Sequence, residues 1–235
     1  MSRSHAIHES IVTAFQANRN EDQRFRMEQY MKNKFSFYGI KTPERKKIIK
    51  EVMALFPERS YAETVEVVEL LYKEEERECH YAALTLLNSY RRSTPISSIG
   101  IYKELISQHS WWDTVDMISS QLCGNYFTSH SQYLHPLTIR WSRSSNLWVR
   151  RASLLFQLKS KEHTDEELLF QTIRELKHEK EFFIEKAIGW SLREYSKSCP
   201  TAVAAFIQNH EMRPLSRREG LKWIKKKGYE VSFNP

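Results

Sequence analysis

The sequence repeats a helical pattern at a constant spacing of 35 residues. Four segments superimpose without gaps, at residues 76–90, 111–125, 146–160 and 181–195. A period between 20 and 50 residues is typical of solenoids, in which each repeat packs on its neighbours. Two aligned columns hold mostly apolar or small residues: Cys79, Thr114, Val149 and Ile184, and Ala82, Met117, Ala152 and Ala187. Amphipathic helices also share apolar columns by chance, so the repeat is a hypothesis.

The remaining pattern is helical as well. Apolar residues recur at three and four positions, and strict alternation over a strand length is scarce. We expect Thr42, Thr94 and Thr164 to supply capping hydroxyls, because Pro or an acidic residue follows each. The sequence predicts an all-α fold of roughly a dozen helices. Its form would be a right-handed superhelical solenoid of HEAT-like antiparallel helix pairs with one concave face, in a single domain over residues 1–235.

Composition excludes several classes of protein. The six glycines never fall two apart, which excludes a dinucleotide-binding fingerprint and a phosphate-binding loop. The longest nearly apolar run, residues 81–87, is too short to span a bilayer, and the N-terminus lacks the apolar run of a signal peptide. The three cysteines form no CxxC pair, and no HExxH is present. We expect an intracellular protein without a metal or cofactor.

Positive charge is concentrated in three runs. The chain carries a net charge of +7. Residues 213–228 have seven basic side chains against Glu219, residues 41–50 have five against Glu44, and residues 140–151 have four arginines and no acid. Residues 56–78 are acidic instead, with eight glutamates against three basic residues. Basic runs are often solvated helix faces, but three in one small chain favour a polyanionic partner.

One column of the repeat is polar, and it contains Tyr81, Asp116, Arg151 and Lys186. In a solenoid such a column projects from one surface. Trp112 lies four residues before Asp116, so the ring and the carboxylate share a helical face. We expect Ser110 to cap this helix with Asp113 at its third position, and Trp111 to be a core residue. On spacing alone, Trp112 as core and Asp116 as a surface ion pair remain open.

Trp190 falls outside the apolar stripe of its predicted helix. The stripe contains Ile184, Ile188, Ser191 and Tyr195, whereas Trp190 groups with Lys186, Arg193 and Glu194. A large ring on a basic stripe is a candidate contact residue for nucleic acid. Tyr30, with Arg26 and Lys34, is a weaker candidate of the same kind. Trp141 and Trp148 group with apolar residues and are expected in the core.

At these residues the sequence resembles the AlkD family of HEAT-like repeat alkylpurine DNA glycosylases. The likeness extends from about residue 7 to about residue 228. The Trp-Trp-Asp and Lys-Ala-Ile-Gly-Trp blocks are its most specific parts. The matching segments are YMKNKF at 30–35, GIKTPER at 39–45, SWWDTVD at 110–116, RASLLFQLK at 151–159 and FFIEKAIGWSLREY at 182–195.

The resemblance implies a function and a set of site residues. The family binds duplex DNA in a concave basic groove and releases cationic N3- and N7-alkylpurines, without flipping the base into a pocket. Its functional Trp, Asp and Trp match Trp112, Asp116 and Trp190, a groove arginine matches Arg151, and Tyr30 matches an aromatic residue near the DNA. The expected phosphate contacts are Arg151, Lys186, Arg193, Arg217 and Arg218.

The main hypothesis is therefore a monofunctional DNA repair glycosylase that leaves an abasic site. Lys186 is the nearest candidate amine, but the column offers no obvious nucleophile, so hydrolysis is favoured over strand nicking. The expected partner is double-stranded DNA with alkylated bases, and the expected state is a cytoplasmic, nucleoid-associated monomer. A non-catalytic protein that binds distorted or branched DNA is the first alternative, and a protein-interaction scaffold is the second.

Overall fold

A computed structural model describes residues 2–228, and these are almost entirely helical. Within this range the backbone forms no β-strand, only an isolated bridge between Ser36 and Glu76. The predicted all-α fold is confirmed. By close packing the chain divides into two compact units, Met1–Arg92 and Ser93–Pro235. A single domain over residues 1–235 stays a prediction, and both of its bounds lie outside the described residues.

The first unit contains five α-helices. They are α1 Arg3–Ala17, α2 Glu21–Tyr30, α3 Thr42–Ala54, α4 Tyr61–Leu71 and α5 Arg77–Asn88. The second unit begins with α6 Ser98–Ser107, α7 Trp112–Met117, a π-helix Ile118–Cys123, α8 Gly124–Ser129 and a 3₁₀ turn Ser131–Tyr133. It continues with α9 Leu134–Ser142, α10 Leu147–Leu155, a 3₁₀ turn Lys161–His163, α11 Glu166–Leu176, α12 Phe182–Tyr195, α13 Pro200–Asn209 and α14 Pro214–Lys226.

The 35-residue register coincides with helix starts. The N-cap residues of α5, α7, α10 and α12 are Glu76, Trp111, Asn146 and Glu181, each 35 residues after the last. The column that starts at Cys79 is buried in all four helices. In the second column the alanines are buried, and Met117 is partly exposed. The repeat is therefore a property of the fold. Equivalent residues precede the four helices, and equivalent residues within the helices are mostly buried.

The predicted capping residues were wrong at four helix starts. Ser97 rather than Thr94 precedes α6. Lys41 rather than Thr42 caps α3, and Asp165 rather than Thr164 caps α11, where its carboxylate accepts from the Leu168 amide. Trp111 rather than Ser110 precedes α7. The Ser110 hydroxyl instead donates to the Ile106 carbonyl at the end of α6. Serine competes for nearby backbone groups, so its identity alone does not fix its partner.

A buried carboxylate organises the loop before α3 in the first unit. Glu78 accepts backbone N–H groups from Tyr38, Gly39 and Ile40. Burial raises the pKa of Glu78, and the three amides oppose that shift. Gly39 has φ +87°, and a Cβ there would lie 2.1 Å from the Asn20 carbonyl oxygen, so glycine is required. The loop at 38–40 is thus held by side chain and backbone together.

The core of the second unit lies between α10, α11, α12, α13 and α14. Its buried side chains include Ile184, Ile188, Leu192, Leu221 and Ile224. The predicted stripe of α12 is buried along its whole length, because Ser191 and Tyr195 are also inside. The Ser191 hydroxyl donates to the Leu154 carbonyl and so ties α12 to α10. Burial of this stripe turns the opposite face of α12, with Trp190, away from the core centre.

Helices α12 and α14 approach closely at Gly189. A Cβ at this position would lie 2.4 Å from the Cβ of Glu219 and 3.0 Å from the Ser216 carbonyl oxygen. The absent side chain therefore sets the distance between the two helices. No helix among the described residues combines the length and apolarity needed to cross a membrane.

Gly189→Ala is expected to destabilise the protein by about 1–3 kcal/mol, because the added methyl group meets atoms of α14 that cannot move independently. The free energy of unfolding from urea titration measures the effect. Gly100→Ala is the matched control, since a Cβ there meets nothing within 4 Å. That variant is expected to gain up to about 1 kcal/mol from helix propensity. Equal effects of the two substitutions would contradict the packing argument.

Candidate functional site

A cavity of about 410 Å³ opens on the second unit and brings together residues from α7, α10, α12 and α14. Three of the polar column residues, from successive repeats, line it. Its walls combine aromatic rings with charged groups of both signs. The lining residues are Trp112, Asp116, Arg151, Phe182, Phe183, Lys186, Trp190, Arg193 and Glu219. All three predicted catalytic residues are thus gathered in one place.

Asp116 and Arg151 form a two-point ion pair at this cavity. The Arg151 Nε lies 2.8 Å from Oδ1 of Asp116, and Nη2 lies 2.8 Å from Oδ2. The remaining Nη1 donates to the Phe183 carbonyl oxygen on α12. The Arg151 side chain is only 5% exposed, so the pair is largely shielded from solvent. A planar guanidinium fixes both oxygens of the carboxylate, which a single ammonium cannot do.

The protonation of Asp116 is set by opposing influences. Burial raises the pKa of its carboxyl, while hydrogen bonding and charge from Arg151 oppose the rise, and Asp113 adds to it. The pKa lies above its ordinary value. A carboxyl with a raised pKa binds its proton more tightly in the folded chain than in the unfolded chain. Its ionisation therefore costs folding stability as the pH rises from the unfolded to the folded pKa.

The six tryptophans divide by environment, and two of them line the cavity. The ring centroid of Trp111 lies 5.6 Å from that of Trp148 and 5.0 Å from that of Phe183. Of these three rings only Phe183 lines the cavity, and Trp111 and Trp148 are partly exposed rather than fully buried. Trp141 is buried, as predicted. Trp112 and Trp190 line the cavity and are partly exposed, which leaves ring surface available to a ligand.

Sequence reasoning missed Glu219, which lies inside a run of basic residues. Its carboxylate contacts three cations: Oε1 is 3.2 Å from the Lys186 Nζ and 2.6 Å from the Lys222 Nζ, and Oε2 is 2.9 Å from Arg193 Nη1. Two predicted DNA-binding residues are therefore held by an acidic partner at the cavity. The basic run 213–228 gave no signal for this acid, because a lone glutamate there resembles a solvated surface residue.

The arginines of residues 140–151 are also largely paired. Arg143 lies 2.7 Å from Glu175, and Arg150 donates to both carboxylate oxygens of Glu179. With Arg151 bound to Asp116, three of the four arginines in this run form ion pairs. The run thus presents less uncompensated positive charge than its composition indicates.

Three predicted DNA contacts lie outside the cavity lining. Tyr30 ends α2 in the first unit, and its side chain is 72% exposed. Arg217 and Arg218 lie on α14, where Arg218 is exposed and Arg217 partly so. DNA contact by these three residues stays a prediction. No group of three or more His, Cys, Asp or Glu in residues 2–228 is placed to hold a metal ion.

A π-helix begins two residues after Asp116, and the sequence pattern does not predict it. It spans Ile118–Cys123. The Ser120 hydroxyl donates to the Asp116 carbonyl at 2.7 Å, and the Ser119 hydroxyl donates to the Val115 carbonyl at 2.6 Å. Wide turns of this kind are frequent at functional sites. The 3.6-residue periodicity used to predict helices does not distinguish such a turn.

The fold and the cavity together define an all-helical repeat protein with a carboxylate set among aromatic rings and cations. The sequence also matches the model of a family described as DNA alkylation repair enzyme, over residues 11–224. The chain belongs to this family, and the resemblance to AlkD proteins is confirmed. It is accordingly a DNA repair protein whose partner is DNA.

Solved structures support the assignment. A protein from Enterococcus faecalis described as a predicted DNA alkylation repair enzyme is 33% identical, with a TM-score of 0.83 over 88% of this chain and 97% of that one. Smu.31 from Streptococcus mutans is 16% identical, with a TM-score of 0.60 over 76% and 92% of the two chains. AlkD2 from the same species is 17% identical, with a TM-score of 0.57 over 77% and 88%. The last two show the fold alone. No curated protein matches the chain.

Arg151→Met is expected to destabilise the fold by about 3–5 kcal/mol at neutral pH, because it leaves the Asp116 carboxylate buried without its partner. Urea denaturation at neutral and mildly acidic pH measures the loss. The loss is expected to shrink in acid, where Asp116 is protonated.

Arg143→Ala serves as the control for this loss. Arg143 is 66% exposed and also pairs with a carboxylate, so its removal is expected to cost no more than about 1 kcal/mol. Equal losses for the two variants would show that the Asp116 pair is energetically an ordinary surface contact.

Proposed function

We propose that the protein is a monofunctional DNA glycosylase that hydrolyses the N-glycosidic bond of cationic N3- and N7-alkylpurines in duplex DNA and leaves an abasic site. The observation that carries this proposal is that Asp116, paired with Arg151, lines the same cavity as Trp112 and Trp190. Family membership supports a role in alkylation repair. The substrate class and the reaction are those that the resemblance to AlkD glycosylases implies, and the residues of the cavity are suited to them.

An alkylated purine needs little help to leave. Its ring already carries a positive charge, so it departs as a neutral base when the glycosidic electron pair moves to nitrogen. No general acid is required, and the demand falls on the sugar, which develops oxocarbenium character. A carboxylate about 4 Å from that charge attracts it by roughly 4 kcal/mol at an effective dielectric near 20. Asp116 provides such a group.

Asp116 would also position the water that attacks the sugar carbon C1′. The water oxygen forms the new bond to C1′, the bond to the purine nitrogen breaks, and the water proton passes to the carboxylate or to solvent. Arg151 fixes the orientation of the carboxylate and leaves each oxygen with a further lone pair for water or sugar. Arg151 thus acts in the free protein as a positioning residue for Asp116.

The two tryptophans would flank the deoxyribose. Indole faces attract a developing cation by about 0.5–2 kcal/mol, and more as water is excluded. Trp112 is on α7 and Trp190 is on α12, so the rings approach from different helices. Selectivity would then arise from the charge and weak bond of the lesion. Bulky cationic adducts are expected to be accepted, and neutral damaged bases such as uracil are expected to be released poorly.

Lys186 is poorly suited to nucleophilic attack, because its ammonium forms an ion pair with Glu219 at 3.2 Å. Simple hydrolysis is therefore favoured over a covalent imine with the sugar. Borohydride trapping of a protein–DNA adduct would contradict this choice.

Asp116→Asn is expected to slow base release from N7-methylguanine duplex by about 10²–10³-fold, which corresponds to most of the estimated attraction. The measurement is single-turnover base release with saturating protein. Asp113→Asn is the matched control, since Asp113 lies on the same helix but does not line the cavity. Intact DNA binding without base release by the wild-type protein would instead support a non-catalytic DNA-binding role.

The rate of base release is expected to fall in acid with an apparent pKa above about 3.9, the ordinary value of aspartate. Asp116 must be ionised to act, and burial raises its pKa. Arg151→Lys is expected to raise the apparent pKa of this acid-side fall in rate. One ammonium replaces two guanidinium hydrogen bonds that favour the ionised form of Asp116. A pH–rate profile, corrected for spontaneous release, tests both. If the rate of Asp116→Asn falls in acid with the same apparent pKa, the titration belongs to another group.

A further inference from the structure

Glu219 is a buried carboxylate at the candidate site that the proposed chemistry does not use. Its side chain is only 6% exposed and lines the cavity from α14. Burial opposes its ionisation, but hydrogen bonds and charge from Lys222 and Lys186 outweigh burial and place its pKa below the usual value. It is therefore a fixed negative charge within reach of the cavity.

The cations around Glu219 are arranged by one face of α12. Lys186, Gly189 and Arg193 recur at three and four residues on that face. Gly189 lets the Glu219 backbone and Cβ approach α12 between the two cations. The carboxylate therefore reaches Lys186 with one oxygen and Arg193 with the other. Trp190 follows Gly189 directly, so the same contact supports the helix segment that carries this ring.

The charge balance of the cavity depends on this residue. Asp116 and Arg151 cancel each other, while Lys186 and Arg193 add two positive charges to the lining. Glu219 offsets one of these and turns both cations toward itself. Without it, a nucleoside with a positive base and a developing positive sugar would face two uncompensated cations. With it, the cavity keeps one net positive charge for the DNA backbone.

Building on the proposed function, we propose that Glu219 is a positioning residue that sets the selectivity of the site for a positively charged nucleoside. Its carboxylate holds Lys186 and Arg193 away from the reacting sugar and weakens their field there. The same contacts reduce nonspecific binding of DNA phosphates by Lys186 and Arg193. Glu219 thus lowers the affinity of the site for DNA phosphate and makes the site more favourable for a cationic lesion.

Glu219→Gln tests the proposal, because it keeps the shape of the side chain and removes its charge. Two quantities are measured: the dissociation constant for undamaged duplex as a function of salt, and the single-turnover rate of N7-methylguanine release at saturating protein. Binding is expected to tighten several-fold, with the slope of log K against log salt steeper by about one. The release rate is expected to fall at least about tenfold. A structural defect would weaken binding and release together.

Glu185→Gln is the matched control. Glu185 is also a buried carboxylate at the α12–α14 contact and pairs with Arg213 at 3.4 Å, but it does not line the cavity. Its loss changes the net charge of the protein equally and is expected to leave the release rate within about twofold. Glu219→Asp, which keeps the charge, is expected to retain the wild-type salt slope. Equal effects of Glu185→Gln and Glu219→Gln would show that the changes in binding and release come from the net charge of the protein. That result would overturn the proposal.

Cooperative thermal unfolding checks that Glu219→Gln is folded. If it is not, Lys222→Gln gives a second test, since Lys222 contacts Glu219 but does not line the cavity. Its loss leaves more of the carboxylate charge for Lys186 and Arg193, so release is expected to be no slower than in the wild type. A tenfold slower release by this variant would overturn the proposal. Absence of release by the wild-type protein refutes the proposed function, whereas release unaffected by Glu219→Gln refutes only the role of Glu219.

Discussion

The two-point pair of Asp116 and Arg151 is the interaction on which the site depends. It links α7 to α10, and through the Phe183 carbonyl it also reaches α12. Withdrawing both charges from water is costly, and such pairs often add little net stability. What the pair provides is a single orientation for one carboxylate, in surroundings where water weakens its field less than at an open surface. Aromatic rings and further cations line the same cavity as this carboxylate.

The repeat explains why these partners meet. Residues one period apart occupy the same position on neighbouring repeats, so Asp116 and Arg151, 35 residues apart, come into contact. The next column residue, Lys186, pairs with Glu219 on α14, close to one further period along the chain. In the first unit the equivalent Tyr81 ring lies 4.5 Å from the Arg45 guanidinium. The same position of the repeated helix therefore holds a packed aromatic ring in the first unit and charged site residues in the second.

Much of this arrangement could be predicted from the sequence, because apolar spacing is a local property. The helical fold, the 35-residue register and the outward face of Trp190 all follow from periodicity. Pairing between distant charges could not be predicted in the same way. Glu219 lies within a basic run, and Arg143 and Arg150 pair with glutamates about 30 residues away, which the local composition of the arginine run does not show. The capping assignment of Ser110 is wrong because α7 begins one residue later, and the hydroxyl donates to the Ile106 carbonyl of the preceding helix.

The π-helix after Asp116 places a constraint of a different kind on the chain. Each of its turns contains about one residue more than an α-turn, since the hydrogen bonds reach five residues back instead of four. Removing one residue between 118 and 123 would allow a regular α-helix with intact backbone bonding. Because the wide turn uses about one residue more for the same rotation, the helix after it would keep nearly the same phase relative to Asp116. The π-helix therefore accommodates one additional residue in this segment without turning the carboxylate out of phase with the helix that follows.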